Sequence, residues 1–116
     1  MAVITLWHNP RCSKSRAALA LLEARGALTL RRYLEDAPSE AELRGTHALL
    51  GGPVIAMVRS GEAAFKAAGL TSDASDDALF AAMAAHPILI ERPLAMTDTR
   101  AVLGRPPEAV LRLLDM

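Results

Sequence analysis

Residues 2–34 read AVITLWHNPRCSKSRAALALLEARGALTLRRYL, and this stretch decides the predicted fold. AVITLW (2–7) is short, apolar and rich in β-branched residues, which is typical of a buried strand. After a turn at Asn9–Pro10, SRAALALLEARG (15–26) predicts a helix that is apolar almost all round and closed by its final glycine. LTLRRYL (28–34) alternates apolar and polar residues and predicts a second strand. Together they predict a βαβ unit with parallel strands and a right-handed crossover.

The middle of the chain predicts helices. SEAE (39–42) is a capping box, in which the serine and the second glutamate satisfy each other's backbone amides. Gly51-Gly52-Pro53 ends that helix, and PVIAMVRSGEAAFKAAGL (53–70) predicts one or two short helices. In SDDALFAAMAAHP (75–87), the leading serine and aspartates favour another helix start.

The last part of the chain predicts strands again. LAMT, an Asp98-Thr99 turn and AVLG indicate a β-hairpin within residues 94–104, and PPEAVLRLL (106–114) predicts a final helix that begins at proline. The order βαβ, helices, ββα is that of an α/β thioredoxin-like core with a helical insertion between its halves. A length of 116 residues predicts one domain over residues 1–116.

The composition limits the partners. The 13 basic and 13 acidic side chains balance, which gives no support for general nucleic-acid or membrane-surface binding. No apolar run approaches the ~20 residues of a membrane span, and the first ten residues do not resemble a signal peptide. We therefore expect a cytoplasmic monomer with neither a nucleic-acid nor a membrane partner. A single cysteine excludes an internal disulfide.

That cysteine, Cys12, lies where a strand end, a tight turn and a helix start converge. The free amides of the first helical turn and the helix dipole favour an anion there. Lys14 and Arg16 add positive charge, and Ser15 can donate a hydroxyl hydrogen bond. Sites of this kind lower a thiol pKa from about 8.5 to roughly 3.5–7.5, so we interpret Cys12 as a nucleophile beside a small-oxyanion site. The alternative is a small residue that fills space at a helix start.

Spacing excludes two cysteine chemistries. A phosphatase loop needs arginine six residues after the cysteine, where this chain has Ala18, and a dithiol redox motif needs cysteine where it has Ser15. Among the histidines, His8 is either a residue that orients the turn or a turn residue without a role. His47 is expected to be half-buried and His86 to end a helix, and three scattered histidines predict no metal site.

Four segments, in order, resemble the glutaredoxin-coupled arsenate reductase family: HNPRCSKSR (8–16), VRSGE (58–62), HPILIERP (86–93) and LGRPPE (103–108). The resemblance covers almost the whole chain. Because the chain stops at Met116, directly after its last predicted helix, it looks more like the family's short chromosomal members than like those with a longer tail.

The resemblance implies a thioredoxin-like fold and a role for particular residues. Cys12 matches the nucleophilic cysteine, with Ser15 and His8 beside it. The family's oxyanion clamp matches three arginines: Arg59, Arg92 and Arg105. We also expect supporting roles for Asn9, Arg16 and Pro93, and Pro93 resembles the cis-proline of thioredoxin-like folds.

Physical chemistry supports the arginine assignment in part. A residue before proline is restricted to extended backbone, which constrains Arg92 and Arg105, and guanidinium groups donate in a planar fork that suits tetrahedral oxyanions. Without the resemblance, each of the three would be interpreted as a solvated surface arginine.

The implied reaction reduces arsenate to arsenite. Cys12 attacks arsenic and displaces water, a glutathione thiol attacks next, and glutaredoxin reduces the resulting mixed disulfide. The resemblance therefore implies glutathione as co-substrate, glutaredoxin as partner, no bound cofactor and a role in arsenic detoxification. Two alternatives stay open: a glutathione-dependent thiol oxidoreductase acting on another substrate, and a non-enzymatic regulator of the Spx type, which binds RNA polymerase.

Overall fold

The computed structural model describes residues 4–25 and 28–114, which fall into two compact units. The core unit comprises the described residues up to Asp36 and from Arg92 onward, and the insertion unit is Ala37–Glu91. This division follows the predicted insertion of helices between a βαβ half and a ββ half of the chain.

A four-stranded sheet organises the core unit. Its strands are β1 (Ile4–Trp7), β2 (Leu28–Arg31), β3 (Leu94–Met96) and β4 (Ala101–Leu103), in the order β2-β1-β3-β4. As predicted, β1 and β2 are parallel, and β3 and β4 form an antiparallel hairpin. Strand β3 also runs antiparallel to β1, with Leu94 opposite Trp7. The start of β3 therefore lies beside the end of β1, where the cysteine turn begins.

Helix α1 (Ser13–Glu23) joins β1 to β2. Its fully buried residues are Ser15, Ala18 and Leu22, a spacing that presents one helical face. The expectation of a helix buried almost all round was therefore wrong, because α1 packs on the sheet and on the final helix with one face and exposes the other. The predicted closing glycine lies outside the described residues. The apolar core beneath α1 consists of Ile4, Leu6, Ala18, Leu22, Ala95, Val110 and Leu113.

The second predicted strand is shorter than expected. Strand β2 ends at Arg31, and the amides of Glu35 and Asp36 both donate to the Arg32 carbonyl, which turns the chain away from the sheet. Leu30 and Leu34 are 44% and 43% exposed, whereas Tyr33 is 1% exposed. The alternation in LTLRRYL thus identified a strand but not its length or its buried side chains, because β2 lies at the edge of the sheet.

The final helix is a 3-10 helix over Pro107–Leu114, so its predicted start at Pro106 was one residue early. The Ala109 amide donates to the Pro106 carbonyl three residues back, which is the 3-10 pattern.

Helices and turns make up the insertion unit. Helix α2 (Glu40–Leu50) begins with the predicted capping box, in which Ser39 Oγ accepts from the Glu42 amide at 3.1 Å and Glu42 Oε1 accepts from the Ser39 amide at 3.0 Å. It ends at Gly51, whose φ of +75° suits glycine. A 3-10 helix at Val54–Met57, helix α3 (Ala63–Ala67), helix α4 (Asp76–Ala85) and a 3-10 turn at Pro87–Leu89 follow.

Two histidines of this unit lie as predicted. His47 is half-buried, with Nε2 2.8 Å from the Gly52 carbonyl oxygen and its ring edge-on to Phe80. His86 is exposed and ends α4. Both have structural surroundings that account for them.

Candidate active site

The turn between β1 and α1 is built from short-range hydrogen bonds. The Cys12 amide donates to the Asn9 carbonyl at 3.0 Å, and the Arg11 amide donates to Asn9 Oδ1 at 3.0 Å. Arg16 Nη1 reaches back to the Pro10 carbonyl at 3.1 Å. Asn9 and Arg16, predicted as supporting residues, thus hold the loop that carries the thiol.

Cys12 is the N-cap residue of α1. Its backbone is extended, with φ −97° and ψ 123°, as N-cap residues usually are. Its carbonyl accepts the Arg16 amide at 3.0 Å, which is the first hydrogen bond of the helix. The Cys12 side chain makes no capping hydrogen bond within the described part of the chain, so the sulfur lies half-buried before a helix start without a side-chain cap.

The environment of Cys12 favours the thiolate. Burial raises the pKa of the thiol, but the backbone amides of Ser15 and Lys14 and the guanidinium of Arg92 outweigh this, and the net pKa is lowered. Arg92 contributes both a side-chain hydrogen bond and its charge. The amide and arginine contributions stabilise an anion and not a neutral thiol, so they act when the sulfur ionises.

His8 and Ser15, which precede and follow Cys12 in the chain, form a buried pair. Ser15 Oγ lies 2.7 Å from His8 Nδ1 and accepts a hydrogen bond from the Asn9 amide at 3.0 Å. The two side chains are 4% and 0% exposed. Burial, with the charges of Arg32 and Arg16, lowers the pKa of His8. The imidazole is therefore neutral over more of the acidic range and holds the serine hydroxyl in place.

Arg92 and Pro93 come to the turn through the sheet. Because β3 begins at Leu94, opposite Trp7 of β1, the two preceding residues lie where β1 runs into the cysteine turn. The Arg92–Pro93 peptide bond is cis, and Pro93 is buried. The Gly104 amide donates to the Pro93 carbonyl at 2.7 Å, which fixes this loop from the β4 side.

Arg105 follows β4 and is exposed. Since Leu103 pairs with Leu94, Arg105 lies at the same edge of the sheet as Arg92. Its amide donates to the Leu103 carbonyl at 3.0 Å, and its bond to Pro106 is also cis. The structure thus brings two of the three predicted arginines to one edge of the core unit.

Arg59 belongs to the insertion unit. It follows a β-bridge between Val58 and Ile90, and its amide donates to the Leu89 carbonyl at 2.7 Å. Its guanidinium Nη2 lies 2.6 Å from Glu62 Oε1. Backbone and carboxylate therefore fix this side chain within its own unit.

Sequence reasoning missed two residues that shape these positions. Glu62 holds Arg59, and its spacing of three residues within VRSGE would have revealed the pair. Gly104 lies against Pro93, since a Cβ there would meet Pro93 Cγ at 2.6 Å. Only its place before Arg105 in LGRPPE marked it, and that gave no reason for a glycine.

The part of the chain that the structure describes contains neither a candidate metal site nor a candidate membrane-spanning helix. Residues 4–25 and 28–114 hold no group of three or more histidine, cysteine, aspartate or glutamate side chains that could bind a metal ion. None of the helices in these ranges has the length and apolarity needed to cross a membrane.

Fold and site together define a thioredoxin-like protein with a single cysteine at a helix start. A βαβ half and a ββ half share one sheet, and the thiol precedes the first helix. Comparison with known proteins gives the particular family.

The chain belongs to the ArsC family, whose sequence profile matches residues 7–113. An arsenate reductase of Neisseria meningitidis serogroup A is 43% identical over 113 residues, which cover 95% of this chain and 97% of the relative. An Escherichia coli arsenate reductase is 40% identical over 116 residues, 98% of this chain and 82% of that protein.

A solved structure agrees with the sequence relatives. The structure of an arsenate reductase from Vibrio cholerae superposes with a TM-score of 0.91 at 48% identity, over 97% of this chain and 98% of that one. The predicted thioredoxin-like fold and the predicted family are thereby confirmed.

Proposed function

We propose that this protein is an arsenate reductase in which Cys12 is the nucleophile and external thiols supply the electrons. The observation that carries the proposal is the position of Cys12 at the N-cap of α1, where the amides of the first turn and the guanidinium of Arg92 lower the thiol pKa. The names of relatives at 40–43% identity over nearly the whole chain support arsenate as the substrate.

The first step is a substitution at arsenic. Arsenate, a tetrahedral oxyanion, binds at the amides that begin α1 and at Arg92, with Arg105 and Arg59 as the other members of the clamp. The Cys12 thiolate attacks arsenic and an S–As bond forms. One arsenate hydroxyl takes up a proton from solvent, its bond to arsenic breaks, and it leaves as water. Arsenic keeps the oxidation state +5 in this step. The positive groups act as preorganised stabilisers of the charged transition state.

The second step is the reduction. The chain has a single cysteine, so the next thiol must come from solution, and we assign it to glutathione. A glutathione sulfur forms a disulfide with the Cys12 sulfur, the electron pair of the S–As bond stays on arsenic, and arsenic passes from +5 to +3 and leaves as arsenite. A thiolate of glutaredoxin then attacks the glutathione sulfur and releases Cys12.

His8 and Ser15 position the thiolate in this scheme. Their 2.7 Å contact and the Asn9 amide hold the Ser15 hydroxyl at the first turn of α1. Because these contacts fix its rotamer, the Ser15 hydroxyl is already in place to stabilise the thiolate. Asn9, Arg16 and Pro93 keep their supporting roles, in the turn and beside Arg92.

The test is arsenate-dependent NADPH oxidation, coupled through glutathione reductase, glutathione and glutaredoxin. We expect turnover with the native chain and only background with Cys12→Ser, whose thermal unfolding should match the native protein. Turnover retained in a folded Cys12→Ser variant would reject the nucleophile.

The clamp is tested one arginine at a time. Charge-assisted hydrogen bonds contribute ~1.5–3 kcal/mol, so Arg59→Ala and Arg105→Ala should each lower kcat/KM for arsenate about tenfold to a hundredfold. Arg92→Ala should also slow thiol exchange, since it removes a group that lowers the Cys12 pKa. Arg25→Ala, at an exposed arginine outside the site, is the matched control. If arsenate turnover and thiol exchange change alike in Arg59→Ala and Arg105→Ala, the clamp is wrong.

Turnover, thiol exchange and a pull-down together separate the alternatives. A glutathione-dependent oxidoreductase acting on another substrate would exchange thiols at Cys12 without arsenate-dependent turnover. A regulator of the Spx type would bind RNA polymerase, so a pull-down would recover the polymerase, and it would show no arsenate turnover.

A further inference from the structure

A shallow pocket of about 250 Å³ lies on the core unit beside the cysteine turn. Residues 8–11 of the turn form one side, and Arg32, Leu34 and Glu35, which follow β2, form the other. The turn side ends at Arg11, the residue directly before Cys12. The pocket therefore adjoins the residue that precedes the thiol, and His8 of the His8–Ser15 pair lies in its lining, whereas no arginine of the clamp does.

The lining combines both signs of charge with apolar surface. Arg11, Arg32 and Glu35 are all exposed, and Leu34 keeps 43% of its surface in solvent beside Pro10. Large apolar side chains exposed within a pocket are typical of ligand-binding surfaces. Two cations and one carboxylate complement a ligand that carries carboxylate groups and one ammonium group.

Backbone hydrogen bonds hold both sides of the pocket. The Arg11 amide donates a hydrogen bond to Asn9 Oδ1 at 3.0 Å, and the Glu35 amide donates one to the Arg32 carbonyl at 2.9 Å. Arg32 and His8 lie on opposite sides of the pocket, and the charge of Arg32 helps to lower the pKa of His8. The pocket is thus formed before any ligand arrives, which reduces the ordering cost of binding.

We propose that this pocket binds the γ-glutamyl end of glutathione and presents its thiol to Cys12. The inference rests on the proposed function, which requires an external thiol. The γ-glutamyl group carries an α-carboxylate for Arg11 and Arg32 and an α-ammonium for Glu35. The volume lies below the roughly 300–1,000 Å³ of sites that enclose drug-sized ligands, so the pocket holds one end of the tripeptide and leaves the cysteine outside.

The test follows thiol exchange at Cys12 without arsenate. Cys12 is first converted to a mixed disulfide with thionitrobenzoate. A glutathione thiolate then attacks the Cys12 sulfur, an S–S bond to glutathione forms, and the electron pair of the old bond leaves with coloured thionitrobenzoate. Absorbance gives the rate, and intact mass confirms the Cys12–glutathione disulfide. 2-Mercaptoethanol, which has a thiol and neither charge, serves as the reference reductant.

We expect the native protein to prefer glutathione and the pocket variants to lose that preference. Exposed ion pairs contribute ~0.2–1 kcal/mol, so Arg11→Ala, Arg32→Ala and Glu35→Gln should each lower the rate with glutathione up to about fivefold relative to 2-mercaptoethanol. Arg11→Ala combined with Arg32→Ala should lower the ratio about tenfold. Arg25→Ala removes an exposed arginine of the same unit outside the pocket and should leave the ratio unchanged. Calorimetric binding of S-methylglutathione should weaken in the same order.

Two outcomes would overturn the proposal. In the first, the pocket variants keep the native ratio of glutathione to 2-mercaptoethanol rates. In the second, the ratio is kept but turnover with glutaredoxin falls, which would make the pocket a docking site for the protein partner. Because exchange and binding use no arsenate, a protein that prefers glutathione yet reduces no arsenate would reject the proposed function and retain the pocket.

Discussion

The three longest helices of this protein begin in two different ways. Helices α2 and α4 of the insertion unit start at Ser39 and Ser75, whose hydroxyls accept amides of the first turn. Acidic residues follow each serine, which suits the positive end of the helix dipole. Helix α1 of the core unit starts at Cys12, and its first turn reads Ser-Lys-Ser-Arg, with two basic residues and no acid.

The difference shows what each helix start is for. A serine cap satisfies one free amide of the first turn, and acidic neighbours offset the helix dipole, so both add stability. At Cys12, the amides and added positive charge remain available to a thiolate and to an oxyanion. The core unit thus lacks a side-chain cap at the position where we propose an anion site.

The largest effect should come from giving α1 the kind of cap that α2 and α4 have. Cys12→Asp puts a carboxylate on the free amides and removes the nucleophile, so arsenate turnover should fall to background. The free energy of unfolding in urea should exceed that of Cys12→Ala by about 0.5–2 kcal/mol, the usual range for N-cap side chains. Equal stability of the two variants would show that the amides of α1 do not favour an anion.

A smaller effect concerns one glycine in each unit. Gly104→Ala places a Cβ 2.6 Å from Pro93 Cγ and 3.0 Å from Val110 Cγ1, and overpacking of this kind costs about 1–3 kcal/mol. Gly45→Ala is the control, because no described atom lies within 4 Å of its Cβ in the middle of α2. That change should stabilise by about 0.5–1 kcal/mol, the difference in helix propensity. Urea unfolding measures the change in the free energy of unfolding for both variants. No loss of stability in Gly104→Ala would show that close packing against Pro93 does not require a glycine here.

The smallest effect tests the caps of the insertion unit. Ser75→Ala removes the hydroxyl that accepts the Ala78 amide at 3.2 Å and should cost about 1 kcal/mol in urea unfolding. Arsenate kcat/KM should stay at the native value. Ser72→Ala, three residues earlier in an exposed turn, should leave both quantities unchanged. A loss of kcat/KM in Ser75→Ala beyond that of Ser72→Ala would contradict the separation of stability from function.

Local signals predicted most of the fold because each acts within a few residues. The capping box at Ser39 and Glu42 and the cap at Ser75 fix helix starts through bonds to the next turn. The end of β2 was mispredicted because it depends on what covers the sheet. The alternation continues to Leu34, yet the turn at Arg32 ends pairing and buries Tyr33 in place of the leucines.

The candidate site divides in the same way. The amides that act on Cys12 follow from the helix start, so residues 9–16 alone predicted the lowered pKa. Arg92 reaches the sulfur only because β3 pairs with β1 in a register that sequence spacing does not reveal. The pocket needs the chain to turn back at Arg32, which no pattern in LTLRRYL indicated.

The most direct test of the central claim is the pH dependence of Cys12 alkylation by iodoacetamide. The thiolate alone reacts, so the midpoint of the rate profile reports the thiol pKa. We predict a midpoint below the value of about 8.5 for a free cysteine, with an upward shift in Arg92→Ala and none in Arg25→Ala. A midpoint at or above the free-cysteine value in the folded native protein would contradict the account.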